Sequence, residues 1–196
     1  MLEIINILQL IKEIGERDVK NHLSSFNSLN AEVEDFVHNK AIDLAKRKVA
    51  ITYLVVQAGK KDIIGIFTIA NKALEISVDN EFSNTFLKKI KAFSSDTDET
   101  IQEKNSITVA AYLLAQFSKN SNFQHAITGE RLLEEALKKL KEIQLYAGGS
   151  LLWLECEDNN KPALEFYNRE NFGFQFFGTR YSNKTKTKYI QMIKSF

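Results

Sequence analysis

The 196-residue sequence has little cysteine, little proline and almost no net charge. A single cysteine, Cys156, excludes an intrachain disulfide and any multi-cysteine metal site. One proline and eight glycines leave no stretch that reads as a long flexible linker, and no internal repeat is visible. One domain over residues 1–196 is therefore expected. Lys plus Arg number 26 against 25 Asp plus Glu. That balance gives no bulk argument for nucleic acid, although a local basic patch can still hold phosphate. No apolar run nears the roughly 20 residues that span a bilayer, so no membrane partner is expected. The opening Leu2–Leu8 carries Glu3 and leads into charged residues, which is unlike a secretory signal. The cytoplasm is the expected compartment. His22, His38 and His125 are scattered without metal-ligand spacing, so no metal is expected.

The composition is that of a globular protein, 44% hydrophobic and 26% charged. A short strand is predicted at Glu3–Leu8, then helical pattern from Ile11 to Arg47 as two helices broken near Asn27–Asn30. Val33, Phe36, Val37, Ala41 and Leu44 recur on one helical face. Val49–Val56 and Ile63–Ile69 are rich in β-branched residues and flank a turn, predicting a hairpin. Residues 77–105 are polar and read as an insertion, with one short helix at Phe86–Phe93 and a loose Ser-Ser-Asp-Thr-Asp-Glu-Thr run. A strand at Ser106–Phe117 precedes the strongest helix, Gly129–Leu145. Its Leu132, Leu133, Ala136, Leu137, Leu140 and Ile143 share a side, and Glu134–Lys138 and Glu135–Lys139 make i,i+4 pairs. A strand at Leu151–Glu157, a helix at Lys161–Arg169 and strands near Phe172–Gly178 and Lys188–Lys194 close the chain. The strand–helix–strand step predicts a parallel pair joined by a right-handed crossover, within a mixed α/β (α+β) sheet.

Two segments carry chemistry. The loop Gln124-His-Ala-Ile-Thr-Gly129 leads into a helix whose first N–H groups lack intrahelical partners and whose dipole favours an anion. Single-glycine loops of this kind are also common as plain connections. The second segment runs from the strand Leu152-Trp-Leu-Glu-Cys-Glu157 through Asn160, suited to start a helix, with Pro162 in its first turn and Tyr167 about two turns on. Taken alone, Tyr167 reads as a half-buried core residue. Cys156, in an apolar strand, reads as a core thiol. Ser150 lacks the Gly-x-Ser-x-Gly elbow of a hydrolase. The basic run Lys184–Lys188 reads as a solvated turn rather than an RNA contact.

Together the two segments resemble the GNAT N-acetyltransferases. In that family a strand leads into a Gln/Arg-x-x-Gly-x-Gly/Ala loop and a helix, and a second strand leads to Asn, Ala and a Phe-Tyr pair. Leu114–Asn120 takes the place of the first strand's end, Gln124 and Gly129 those of the loop, and Asn160, Ala163, Phe166 and Tyr167 those of the second motif. The likeness extends from about Asp35 onward. Ile127 departs from it, standing where the first loop glycine belongs. After Tyr167, Asn171-Phe172 stands where Gly-Phe is usual, and Asn171 tolerates the left-handed conformation well enough for a turn there.

The resemblance implies a GNAT-type, mostly antiparallel sheet with a central parallel pair, and transfer of acetyl from acetyl-CoA to a primary amine by direct attack. It implies Tyr167 as general acid. Backbone groups of Phe117, Ser118 and Lys119 would meet the pantetheine arm. The N–H groups of His125, Ala126, Ile127, Thr128, Gly129, Glu130 and Arg131, beside Gln124, would hold the pyrophosphate. The Arg131 side chain is an added contact, and Asn160 would reach pantetheine or orient the site. No general base is evident, and Glu155 reads better as a structurally paired carboxylate. The expected acceptor is a small-molecule or peptide amine, and a homodimer is compatible with the fold. Two alternatives stand beside this reading. One is a toxin-like acetyltransferase of aminoacyl-tRNA, because the Leu-Leu-Ala-Gln-Phe-Ser-Lys-Asn run and the early helical stretch resemble a bacterial subgroup related to the acetyltransferase toxins that modify aminoacyl-tRNA. The other is a non-catalytic acyl-CoA-binding module, motivated by Ile127 and the missing base.

Overall fold

The computed structural model describes residues 1–183 and 185–196; Lys184, in the basic run predicted as a solvated turn, lies outside the described residues. Strand β1 (Leu2–Asn6) ends two residues earlier than the pattern suggests, because Asn6 turns back to cap a helix. Its Oδ1 accepts the Leu8 N–H at 2.9 Å, and α1 (Ile7–Ile14) begins there. The region expected to hold two helices holds four. Besides α1 there are α2 (Glu16–Leu23), α3 (Ala31–Asn39) and α4 (Ala41–Lys46). The predicted break at 27–30 is present, and Asn30 caps α3 through Glu32 and Val33. The two further breaks fall at Gly15, with φ 85°, and at Lys40, whose non-helical backbone ends α3. Apolar spacing runs through both breaks, so periodicity does not register them.

The hairpin forms as β2 (Ile51–Gln57) and β3 (Ile63–Ser77), paired antiparallel with Leu54 opposite Ile66. A buried hydroxyl pair, Thr52 and Thr68 at 2.9 Å, satisfies two polar side chains inside it. Residues 77–105 contain α5 (Asn84–Ala92) and α6 (Asp98–Lys104). The second of these begins in the last three residues of the run that reads as loose. Thr97 caps it through the Thr100 N–H, Asp98 and Glu99 suit its first turn, and Ile101 is its buried anchor. Then follow β4 (Ser106–Lys119), α7 (Gly129–Ala147), β5 (Leu151–Glu157), α8 (Lys161–Tyr167), β6 (Gln175–Ser182) and β7 (Thr187–Ser195).

The strands form a seven-stranded sheet in the order β1-β2-β3-β4-β5-β7-β6. It is mostly antiparallel, and β4 and β5 are its parallel pair, with Tyr112 opposite Leu152. Helices flank it, so the expected mixed α/β architecture is present.

By internal packing the chain divides into two compact units, 1–70 with 114–147, and 71–113 with 148–196. The core of the first is built from α1–α4 on β2 and β3, with Phe26, Leu23, Val37, Leu54 and Ile66 almost fully buried. Gly65 matters to its other face. A Cβ there would meet the Leu132 methyls of α7 at 3.2 and 3.3 Å, so the missing side chain lets the helix lie close to β3. In the second unit α5 and α6 contribute Phe86, Ile90 and Ile101 to a core with Leu74, Ile107, Trp153 and Ile193. The polar insertion thus supplies its own apolar layer. Within the same unit the Tyr112 hydroxyl donates to the Gly148 carbonyl at 2.7 Å.

Candidate functional site

In the first unit β4 ends in Phe117, Ser118 and Lys119, all partly buried. The loop Gln124–Thr128 follows a short 3-10 turn, Ser121–Phe123, and delivers Gly129, Glu130 and Arg131 as the first turn of the 19-residue α7. Lys119 ties strand to loop, its Nζ donating to the Gln124 carbonyl at 3.0 Å. The Ser118 hydroxyl donates to the Lys119 carbonyl and lies 2.9 Å from the Ser28 hydroxyl. Ser28, Leu29 and Asn30, from the α2–α3 connection, line a cleft of about 180 Å³ with Ser118, Lys119, Asn120, Ser121 and Gln124.

The loop reaches α7 by a route that explains Ile127. Its side chain is buried, 4% exposed, and its backbone is not in the positive-φ region. A residue that turns inward can replace a glycine whose service is to leave the outer side of the loop open. His125, Gln124 and Thr128 are exposed. Thr128 is the helix cap, its hydroxyl accepting the Arg131 N–H at 3.1 Å and its carbonyl the Leu132 N–H at 3.0 Å. The Ala126 N–H is also engaged, by the Phe123 carbonyl at 2.9 Å. Of the seven N–H groups expected to face an anion, those of Ala126 and Arg131 therefore already have protein acceptors.

The Arg131 guanidinium is committed to its own helix. It pairs with Glu134 at 3.1 Å and with Glu135, an acid only 7% exposed. Drawing it to a phosphate would leave that buried carboxylate without its cation, which is costly. The i,i+4 pairs expected at Glu134 and Glu135 are replaced by this Arg131 fork, and Lys139 pairs with Glu142 instead. The fork forms because Glu135 faces inward, one turn after Arg131.

Asn160 and Tyr167 belong to the second unit and bracket α8. Asn160 is exposed, and its Oδ1 accepts the Ala163 N–H at 3.2 Å, the helix-starting role that its position suggests. Tyr167 is 8% exposed, with edge-on ring contacts to Phe166 at 5.1 Å and Phe174 at 5.8 Å. Burial, and then the nearby Cys156, hold its hydroxyl well above the usual tyrosine range. The left-handed turn after α8 falls on Gly173, φ 68°, and not on Asn171, which sits inside a 3-10 turn. A following glycine takes that conformation at less cost than asparagine.

Glu155 is paired, as its reading anticipates. Arg180 donates to it twice, at 2.8 and 2.5 Å, and the Gln191 amide once, at 2.9 Å. Three donors leave little of the carboxylate to take a proton from a substrate. Cys156 is 7% exposed, and burial, with the charge of Glu157 second, pushes its thiol up to about 11. The thiol is thus a neutral core group. In the unfolded chain it ionises near its ordinary value of 9.0. The thiol's contribution to folding stability is therefore full below pH 9 and is lost as pH rises from there toward 11. Urea midpoints taken between pH 8 and 10.5 should decline, and Cys156→Ala should flatten the first part of that decline.

Two residues of the cleft escape sequence reading. Ser28 carries no motif. Asn120 is 1% exposed and joins three segments. Its Nδ2 donates to the Ile63 carbonyl at 2.7 Å, and its Oδ1 accepts the N–H groups of Asn122 at 3.0 Å and Asn27 at 3.4 Å. The Asn-Ser-Asn run after an apolar strand is an Asx-turn signal that could have marked it. Among the described residues no group of three or more His, Cys, Asp or Glu could hold a metal. Among the described residues no helix is long and apolar enough to cross a membrane.

No protein-family model and no curated protein matches the sequence. Solved structures do match. A tyrosine-to-phenylalanine mutant of KacT shares 15% identity, with a TM-score of 0.66 over 99% of this chain and 94% of that one. AtaT complexed with acetyl-methionyl-tRNAfMet shares 14%, with a TM-score of 0.59 over 97% of this chain and 94% of its own. AtaTR has also been solved bound with AcCoA. A protein from Desulfovibrio desulfuricans assigned to the GNAT family of acetyltransferases shares 14%, with a TM-score of 0.56 over 100% of this chain and 99% of that one. The fold is that of the GNAT acetyltransferases. At such identities the likeness is one of fold.

Proposed function

We propose that the chain is a single-domain N-acetyltransferase that moves the acetyl group of acetyl-CoA to a primary amine. The observation that carries this reading is the strand end and loop at 117–131. Its two buried side chains, Asn120 and Ile127, turn away from solvent, and its exposed residues lead into the positive end of a 19-residue helix. Phe117, Ser118 and Lys119 meet the pantetheine arm through their backbone. The pyrophosphate lies on the loop between Gln124 and Glu130, with less from the Ala126 and Arg131 groups that already have partners. The amine nitrogen, neutral when it attacks, forms its bond to the thioester carbonyl carbon. The carbon–sulfur bond breaks, and the departing sulfur takes a proton from the Tyr167 hydroxyl. The amine's surplus proton leaves to water, since Glu155 is occupied.

The acceptor is a small-molecule or peptide amine. The solved complex of AtaT with an acetylated aminoacyl-tRNA supports a second reading, in which the amine is that of an aminoacyl-tRNA. RNA binding that weakens steeply with salt would favour it.

Calorimetric titration with acetyl-CoA tests the reading. Wild type should bind at micromolar concentration. Gly129→Glu places a carboxylate at the helix start against the pyrophosphate, and should weaken binding by at least ~30-fold. A folded wild type that does not bind would overturn the acetyltransferase reading. Tight binding with no transfer to any amine would leave only a coenzyme-binding module.

A further inference from the structure

The first unit contains a second hollow, of about 220 Å³, lined by none of the residues of the coenzyme loop. Its floor is Leu54 and Val56 of β2 and Ile63 of β3, all buried; Ile5 of β1 adjoins them. Leu10 and Ile14 of α1 wall it, and Ile14 remains 39% exposed. The break at Gly15 makes room for it. With φ 85° there, α2 does not continue the line of α1, and its His22 takes a separate place in the lining.

A water occupies about 30 Å³ of liquid, so the hollow equals several waters, lined mainly by groups that offer them no hydrogen bond. The polar groups in the lining are Glu3, His22, Lys60 and Lys61. Lys60 and Lys61 stand on the exposed turn between β2 and β3, and neither has an ion-pair partner among the described residues. Two free ammonium groups against one carboxylate give the site a positive bias.

We propose that this hollow binds an amphipathic organic anion, a medium-chain carboxylate whose tail lies on Leu10, Leu54 and Ile63 and whose head meets Lys60 and Lys61. Benzene fills a cavity of about 150 Å³, so this hollow suits a tail of about six to nine carbons. Each buried methylene multiplies affinity by about four, which sets a strong dependence on chain length.

Calorimetry of the whole chain with octanoate, butyrate and octylamine tests this. Octanoate should bind at submillimolar concentration, with butyrate and octylamine each at least ~10-fold weaker. Leu10→Trp, which fills the hollow, should abolish octanoate binding. Lys60→Glu with Lys61→Glu, on an exposed turn, should erase the preference for octanoate over octylamine while the thermal melt stays unchanged. Saturating acetyl-CoA should leave octanoate binding intact, so failure of the acetyltransferase reading would leave this site standing. No binding of octanoate, equal affinity for octanoate and octylamine, or binding that survives both variants would overturn the proposal.

Discussion

Tyr167→Phe should lower acetyl transfer by about 10²–10⁴-fold while acetyl-CoA affinity and the melting temperature stay close to wild type. The substitution removes one oxygen and keeps the ring, so the contacts with Phe166 and Phe174 survive. The loss should fall on kcat and not on KM, because proton donation to sulfur occurs only in the transition state. Burial makes the assignment sharper. With its hydroxyl held well above the usual tyrosine range, Tyr167 stays protonated throughout the neutral and mildly alkaline range. The rate should therefore show no alkaline decline from this group below about pH 10. Turnover by Tyr167→Phe within threefold of wild type would remove Tyr167 from the reaction. Loss of acetyl-CoA binding in that variant would instead make it a packing residue of the second unit.

Apart from α6, the order of strands and helices from residue 49 onward was legible in the sequence because most elements there have a clean period and a clear stop; β3 runs on to Ser77, past the expected end at Ile69. β5, for instance, is an apolar run closed at both ends by polar or glycine residues, and α7 ends just before Gly148-Gly149. The N-terminal third was less legible. Ile7, Leu10, Ile11 and Ile14 continue an apolar pattern into the next helix, and only Gly15 interrupts it. Helix α6 was hidden for a different reason. Its stability comes from the Thr97 cap, its leading acids and one buried isoleucine, and a single anchor makes no periodicity. At the candidate site the resemblance singled out the segment from Gln124 to Gly129, which connects the 3-10 turn to α7. It could not reveal that Arg131 is held by Glu134 and Glu135, since either partner assignment fits the same helix face. Nor could it bring Ser28 to Ser118, a contact across 90 positions that depends on how four short helices pack.

Asn120 is the residue where that long-range packing should show its largest thermodynamic effect. Asn120→Ala leaves the Ile63 carbonyl and the Asn122 N–H without their partners, and the weaker bond to the Asn27 N–H is lost as well. A buried polar group left unpaired costs about 1–3 kcal/mol, so a loss of about 2–4 kcal/mol is expected. For a chain of this length that lowers the melting temperature by about 5–15 °C. Acetyl-CoA affinity should fall with it, because the same side chain fixes the start of the 3-10 turn that leads to the loop. Asn120→Asp separates hydrogen bonding from packing. It keeps the shape and the acceptor, but it loses the donor to Ile63 and buries a carboxylate, so at neutral pH it should be at least as unstable as the alanine variant. Burial raises that carboxyl's pKa in the folded state, so stability should return as pH falls through the raised value and the protonated acid can again donate to the Ile63 carbonyl. Melting temperatures of the two variants at pH 7.5 and pH 5 read this directly. Recovery in acid by Asn120→Asp alone means the hydrogen bond to Ile63 fastens the loop to β3, whereas parallel behaviour of the two variants means that Asn120 acts there by filling space.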